Sequence, residues 1–246
     1  MSATRAELQL RYLQRMGIEV WQRRRLPPPA AAASEPAVAE LAVTAERPVA
    51  ATAPLAWETL AAEVAGCRRC GLHTTRTQTV FGVGDRSSPL LVVGEAPGAD
   101  EDRQGEPFVG RAGQLLNLML KAMGWPRDKV YIANLLKCRP PGNRDPQLDE
   151  VAACRPFLQR QIELVQPRVM LALGRQAAQH LLQSTAPLAQ LRGRVLHYGE
   201  HGIPLVVTYH PAYLLRSPHD KARAWQDLKL LRTLLADEGQ HERGAV

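Results

Sequence analysis

PLLVVGEAPGADEDRQGEPFVGRAG, residues 89–113, decides how the rest of the chain is read. It begins with an apolar run that closes on Gly94 and Pro97. A short run of this kind, bounded by turn residues, is the pattern of a strand buried on both faces. AGQLLNLMLKAMG, residues 112–124, follows with helical spacing and a glycine stop. The same alternation then recurs. KVYIAN (129–134), RVMLALG (168–174) and GIPLVVTYHP (202–211) read as strands. PQLDEVAACRPFLQRQIELVQ (146–166, with proline at its start), RQAAQHLLQ and DKARAWQDLKLLRTLLADE read as helices. Strands alternating with helices predict an α/β domain around a mainly parallel sheet. Such sheets bind ligands at the carboxyl ends of their strands. The tails GEAPG, NLLKCRPPGNR, GRQA and HPAYLLR are therefore where chemistry is expected.

The chain has 246 residues, a formal charge of +7 and 45% apolar residues, enough for one sizeable core. The basic excess suits a polyanionic partner such as nucleic acid. No apolar run approaches the roughly 20 residues of a membrane span. The first 21 residues are too charged for the core of a signal peptide. A reducing cytoplasm is the expected location. There, four cysteines argue for a metal site or buried thiols rather than disulfides. Residues 1–25 read as a short amphipathic segment and the Pro/Ala-rich residues 26–56 as a disordered linker. The folded domain is expected over 57–237, with a flexible tail at 238–246.

The cysteines are Cys67 and Cys70 in CRRC, then Cys138 and Cys154 with fifteen residues between them. Four thiolates suit zinc or an iron–sulfur cluster. The wide second pair leans toward a cluster, since zinc ribbons usually repeat a close pair. Four unrelated buried thiols are the plain alternative.

The glycine-rich loop fits neither phosphate-binding fingerprint, and its acids would repel phosphate. Its glycines instead let backbone approach a flat, uncharged ligand, while a carboxylate faces a group that turns positive during reaction. An oxocarbenium-like sugar is such a group. An acidic solvent loop is the plain alternative. Asn134 and His210 each close a strand and converge with this loop on one crevice.

GEAPGADEDRQGEPFVGRAG, NLLKCRPPGNRDP and YHPAYLLRSP, with the four cysteines in this order, resemble the iron–sulfur (family 4) uracil-DNA glycosylases over about residues 57–237. The resemblance implies a three-layer αβα sandwich and a structural [4Fe–4S] cluster on Cys67, Cys70, Cys138 and Cys154. It implies hydrolysis of the N-glycosidic bond of deoxyuridine in single- or double-stranded DNA. Phe108 would stack on the extruded uracil and Asn134 would read its Watson–Crick edge. His210 would donate to O2. Glu95, with Asp100 or Glu101, would stabilise the sugar cation or position water. Gly94, Ala96 and Gly98 would line the base site. Leu214 or Leu215 would wedge into the duplex. Arg111, Lys137, Arg139, Arg144 and Arg216 are candidate phosphate contacts. The chain departs from better-known uracil glycosylases at Ala96, where those have a water-activating aspartate. It departs again at Gly98, where those have a methyl-excluding tyrosine. Tyr213 stands where the family more often has a small residue. A non-catalytic DNA-binding module, or a zinc-stapled one, would keep much of this pattern. Residues 8–25 are similar to the peptide of the DNA polymerase III psi subunit that docks on the chi subunit, which implies a tether to replication proteins.

Overall fold

The computed structural model describes residues 53–241. The amphipathic segment, the psi-like peptide and nearly all of the expected linker lie outside them. Six strands form one sheet in the order β1-β3-β2-β4-β6-β5. The central four, β2 (Leu90–Gly94), β3 (Tyr131–Asn134), β4 (Val169–Leu173) and β6 (Ile203–Thr208), are parallel. Each of them matches a strand expected from the sequence. β1 (Val83–Gly84) and β5 (Val195–Tyr198) add antiparallel edges that the apolar pattern does not reveal. β1 is two residues long and β5 is half exposed, so neither carries a buried run.

Helices cover both faces, giving the three-layer sandwich. Leu91, Val93, Ala133, Met170 and Val207 face α1 (Ala53–Ala65), α4 (Leu148–Val165), α5 (Gly174–Leu182) and α6 (Leu188–Leu191) through Trp57, Ile162, Ala178 and Leu191. Leu90, Val92, Ile132, Leu171 and Val206 face α3 (Arg111–Ala122) and α8 (Lys221–His241) through Leu116, Leu120, Leu228 and Leu231. Successive strand residues point to opposite layers, which is why the central strands are apolar at nearly every position.

Two boundaries differ from expectation. α1 begins at Ala53, four residues ahead of Trp57, and α8 continues to His241, past residue 237. Two six-residue helices, α2 (Ala99–Gln104) and α7 (Pro211–Arg216), sit inside what the sequence shows only as loops. Six residues are too few for a helical apolar period to register.

Candidate functional site

The carboxyl ends of β2, β3 and β6 open into one cavity of about 410 Å³. Glu95, Ala96, Gly98, Glu101, Phe108, Asn134 and His210 all line it. Gly94 fits because it lacks a side chain. A Cβ there would lie 2.3 Å from Asn134 Oδ1 and 2.6 Å from the Phe108 ring.

Phe108 holds a positive φ of 55°, a conformation that bulky residues seldom adopt. Its surroundings enforce it. Arg127 donates to the carbonyls of Phe108 (3.2 Å) and Pro107 (2.6 Å). Gly113 also leaves room, since a Cβ there would meet the Phe108 carbonyl oxygen at 1.8 Å. The ring is thereby held 5.7 Å from that of His210, tilted by 32°.

Asn134 is 2% exposed, and its Oδ1 is buried with no hydrogen-bond partner among the described residues. Leaving a buried acceptor unpaired costs about 1–3 kcal/mol, so such an atom points to a missing donor. His210 has its proton placed by the fold. The backbone N–H of Ala212, in the first turn of α7, donates to Nδ1 at 3.1 Å. Nε2 therefore carries the proton. Burial, aided by Arg216, lowers its pKa to about 4, so the ring is neutral near pH 7.

The acids of the loop separate into distinct jobs. Glu101 accepts from the backbone N–H groups of Gly98, Val109 and Gly110. Both of its oxygens are engaged, so it braces the loop and is not a free catalytic acid. Asp102 is buried and accepts from Thr77 N. Asp100 pairs with Arg103 at the surface and does not line the cavity. Glu95 alone enters the cavity with no hydrogen bond to its carboxylate among the described residues. Burial first, then repulsion from Asp145, raises its pKa to about 7, against an opposing pull from Arg175.

Two expected DNA contacts are overturned by burial. Lys137 is 1% exposed, and its Nζ donates to Asn134 O (2.9 Å) and Gln161 Oε1 (2.5 Å), so it meets no phosphate. Leu214 is 1% exposed and packs inward, whereas Leu215 is 37% exposed. Arg144 gives both terminal nitrogens to Glu150, at 2.9 and 2.5 Å, so its charge is already matched. Arg139 donates to Asn143 Oδ1 at 2.8 Å. Arg111 and Arg216 are exposed, and Arg216 stands at the cavity wall. The structure adds Asn143, Tyr213 and Arg127, which sequence reasoning did not assign to the site. Asn143 lies within the quoted NLLKCRPPGNR motif. Arg127 carries no local signal, because its partner Phe108 is nineteen residues away.

The four cysteines are free and line a second, smaller cavity together. Arg76 donates to Cys138 Sγ at 3.0 Å and the Lys137 backbone N–H donates to Cys154 Sγ at 3.2 Å. Among the described residues, no three of His, Cys, Asp or Glu are grouped closely enough for a single metal ion. Cys138 and Cys154 belong to an apolar cluster against which Cys67, Cys70 and Ala96 pack, so the cysteine region abuts the glycine-rich loop. No described helix is long and apolar enough to cross a membrane.

Residues 81–229 match the family model of the uracil DNA glycosylase superfamily. A type-4 uracil-DNA glycosylase of Archaeoglobus fulgidus is 43% identical over 178 residues, covering 70% of this chain and 89% of the relative. One from Thermotoga maritima is 40% identical over 187 residues, covering 74% and 96%. A type-5 enzyme of Pyrobaculum aerophilum is 34% identical over a shorter stretch, covering 53% and 64%.

Proposed function

The chain belongs to the uracil DNA glycosylase superfamily, with type-4 enzymes among its relatives, and from that premise we propose how its cavity acts. It is a uracil-DNA glycosylase of DNA repair that releases uracil and leaves an abasic site. The observation that carries the residue roles is the orphaned Oδ1 of Asn134 beside a neutral, Nε2-protonated His210.

The deoxyuridine leaves the stack to enter the cavity. Its base lies against the Phe108 ring. Asn134 Oδ1 accepts from N3–H, and its Nδ2 donates to O4. As the C1′–N1 bond breaks, its electron pair moves onto uracil and negative charge grows at O2. His210 Nε2–H donates there, where a preset donor counts most. The Glu95 carboxylate faces the sugar as it turns cationic and takes a proton from the water that adds to C1′. Glu101 holds the loop and touches no reacting atom. Among the acids of the loop, Glu101 and Asp102 hold backbone, and Glu95 serves the sugar.

Cys67, Cys70, Cys138 and Cys154 would hold a [4Fe–4S] cluster. Four thiols around one cavity, two of them receiving N–H donors, fit such a group. The wide spacing of Cys138 and Cys154 leans toward the cluster rather than a zinc ribbon, which usually repeats a close cysteine pair. When bound, it supplies Fe–S bonds that staple the loops flanking the cavity. Free thiols of this kind suit a reducing cytoplasm. The replication tether in residues 8–25 is a separate proposal, tested by whether deleting them abolishes binding to chi.

The deciding experiment incubates the protein with a single-stranded oligonucleotide carrying one uracil, followed by alkali. Strand scission is expected, and it should fall sharply with His210→Ala. Absence of scission by folded wild-type protein overturns the reading. A brown protein absorbing near about 400 nm supports the cluster, and a colourless zinc protein refutes it.

A further inference from the structure

Tyr213 has no role in the mechanism above, yet it lines the cavity and is 36% exposed. Its ring stacks on Tyr209 with centroids 5.1 Å apart and planes 20° from parallel. The guanidinium of Arg192 lies 4.0 Å from the Tyr209 ring centroid. Arg192 is itself held by Asp227, at 2.9 and 2.6 Å. At the other end, the Tyr213 hydroxyl donates to Asp220 Oδ2 at 2.7 Å, and Arg223 donates to Asp220 Oδ1 at 3.0 Å. An aromatic column thus runs from the buried Asp227 to the cavity mouth. It is fixed at its inner end by an ion pair and at its outer end by a hydroxyl. His210 lies between Tyr209 and Tyr213 in sequence, so the column and the donor to O2 share one turn of chain.

We propose that the free face of Tyr213 is a stacking platform for the nucleobase that flanks the extruded nucleotide. Extrusion strips that neighbour of one stacking partner. Every base has a π face, and an aromatic side chain that replaces the lost partner recovers binding without reading sequence. One face of Tyr213 is taken by Tyr209, which leaves one face for one base. The ring is preset, so little rotamer freedom is lost on binding. A tyrosine that merely filled the core would be buried. This one is exposed beside Arg216, itself exposed and basic. Phe108, by contrast, is 7% exposed and lies inside. The site accordingly offers two aromatic faces for two adjacent bases, one extruded and one left in the strand.

The proposal rests on reading the cavity as the uracil pocket, so its test is a binding measurement that needs no turnover. The probe is a single-stranded oligonucleotide carrying 2′-fluoro-deoxyuridine, whose fluorine disfavours the sugar cation and keeps the base attached. The flanking position on the 5′ or the 3′ side holds either adenine or an abasic spacer. For wild-type protein, the spacer on one side alone is expected to weaken binding about tenfold. In Tyr213→Leu that penalty should shrink to about twofold or less, while Tyr213→Phe, which keeps the ring, should retain it. Melting curves check that both variants fold. An undiminished penalty in Tyr213→Leu, no penalty on either side, or equal penalties on both sides overturns the platform. Failure of wild-type protein to release uracil from the ordinary deoxyuridine strand overturns the glycosylase reading instead, and leaves the stacking result interpretable.

Discussion

Lys137 Nζ donates to the backbone oxygen of Asn134 at 2.9 Å, while the backbone N–H of Lys137 donates to Cys154 Sγ at 3.2 Å. One residue therefore ties the strand end that presents Asn134 to the cysteine cavity. Burial lowers the ammonium pKa to about 8, so the cation is retained at neutral pH at a desolvation cost. Lys137→Met should leave Asn134 O and Gln161 Oε1 without their donor and cost about 1–3 kcal/mol. Denaturant titration measures this. The same variant should leave the salt dependence of DNA binding unchanged, because a buried amine releases no counterion. Arg216→Ala should reduce the slope of log K against log salt by about 0.7 on single strands. Equal slope changes in the two variants would put the Lys137 amine on DNA after all.

A second prediction concerns pH. Glu95 titrates near 7 and His210 near 4. If Glu95 acts ionised, the single-turnover rate rises about tenfold per pH unit below 7 and levels off above it. That limb should vanish in Glu95→Gln and persist, on a lower rate, in His210→Gln. Loss of the limb in the histidine variant instead would assign the titration to the imidazole.

The four central strands and the helices between them are legible because burial on both faces writes itself as continuous apolar runs. Asn134 and His210 are legible as candidates because each sits in a motif at a strand end, and Phe108 because it lies in the glycine-rich stretch that follows β2. Lys137 and Leu214 are not. A lysine beside CRPPGNR reads as a phosphate ligand until Gln161, twenty-four residues later in sequence, is seen to accept its hydrogen bond. Leu214 and Leu215 are equivalent as letters, and only the register of a six-residue helix buries one and exposes the other. Glu101 differs from Glu95 for the same kind of reason. Three backbone N–H groups meet one carboxylate and none meets the other, and backbone direction has no sequence signature at that range.

Glu95 should also cost stability. Its folded pKa of about 7 lies above the ordinary 4.5, so the folded state binds more protons between those values. Stability falls as pH rises through that window, and the penalty is complete above it. Glu95→Gln removes the penalty. Because the group is partly open to solvent, the gain at pH 8 is discounted to about 1–2 kcal/mol. Below about pH 4 the two proteins should unfold alike. Thermal unfolding at both pH values measures the difference. A variant no more stable than wild type at pH 8 would mean that Glu95 is ionised without strain.

Asn134→Asp tests the base-reading assignment most directly. The buried Oδ1 has no partner within the described protein, and N3–H of uracil is the donor that fits it. In the proposed pocket the amide would also donate to O4, which an ionised carboxylate cannot do. Uracil release should fall about 10- to 100-fold, from about 1–3 kcal/mol of lost or repulsive pairing. Cytosine offers an amino donor where uracil has O4, and a lone pair where uracil has N3–H. A protonated carboxyl satisfies both, so the preference for uracil over cytosine should narrow in the variant, most clearly at low pH. Release is measured from matched strands carrying one uracil or one cytosine. An Asn134→Asp protein that keeps the wild-type ratio would remove Asn134 from the recognition of the base and leave its orphaned oxygen to some other donor.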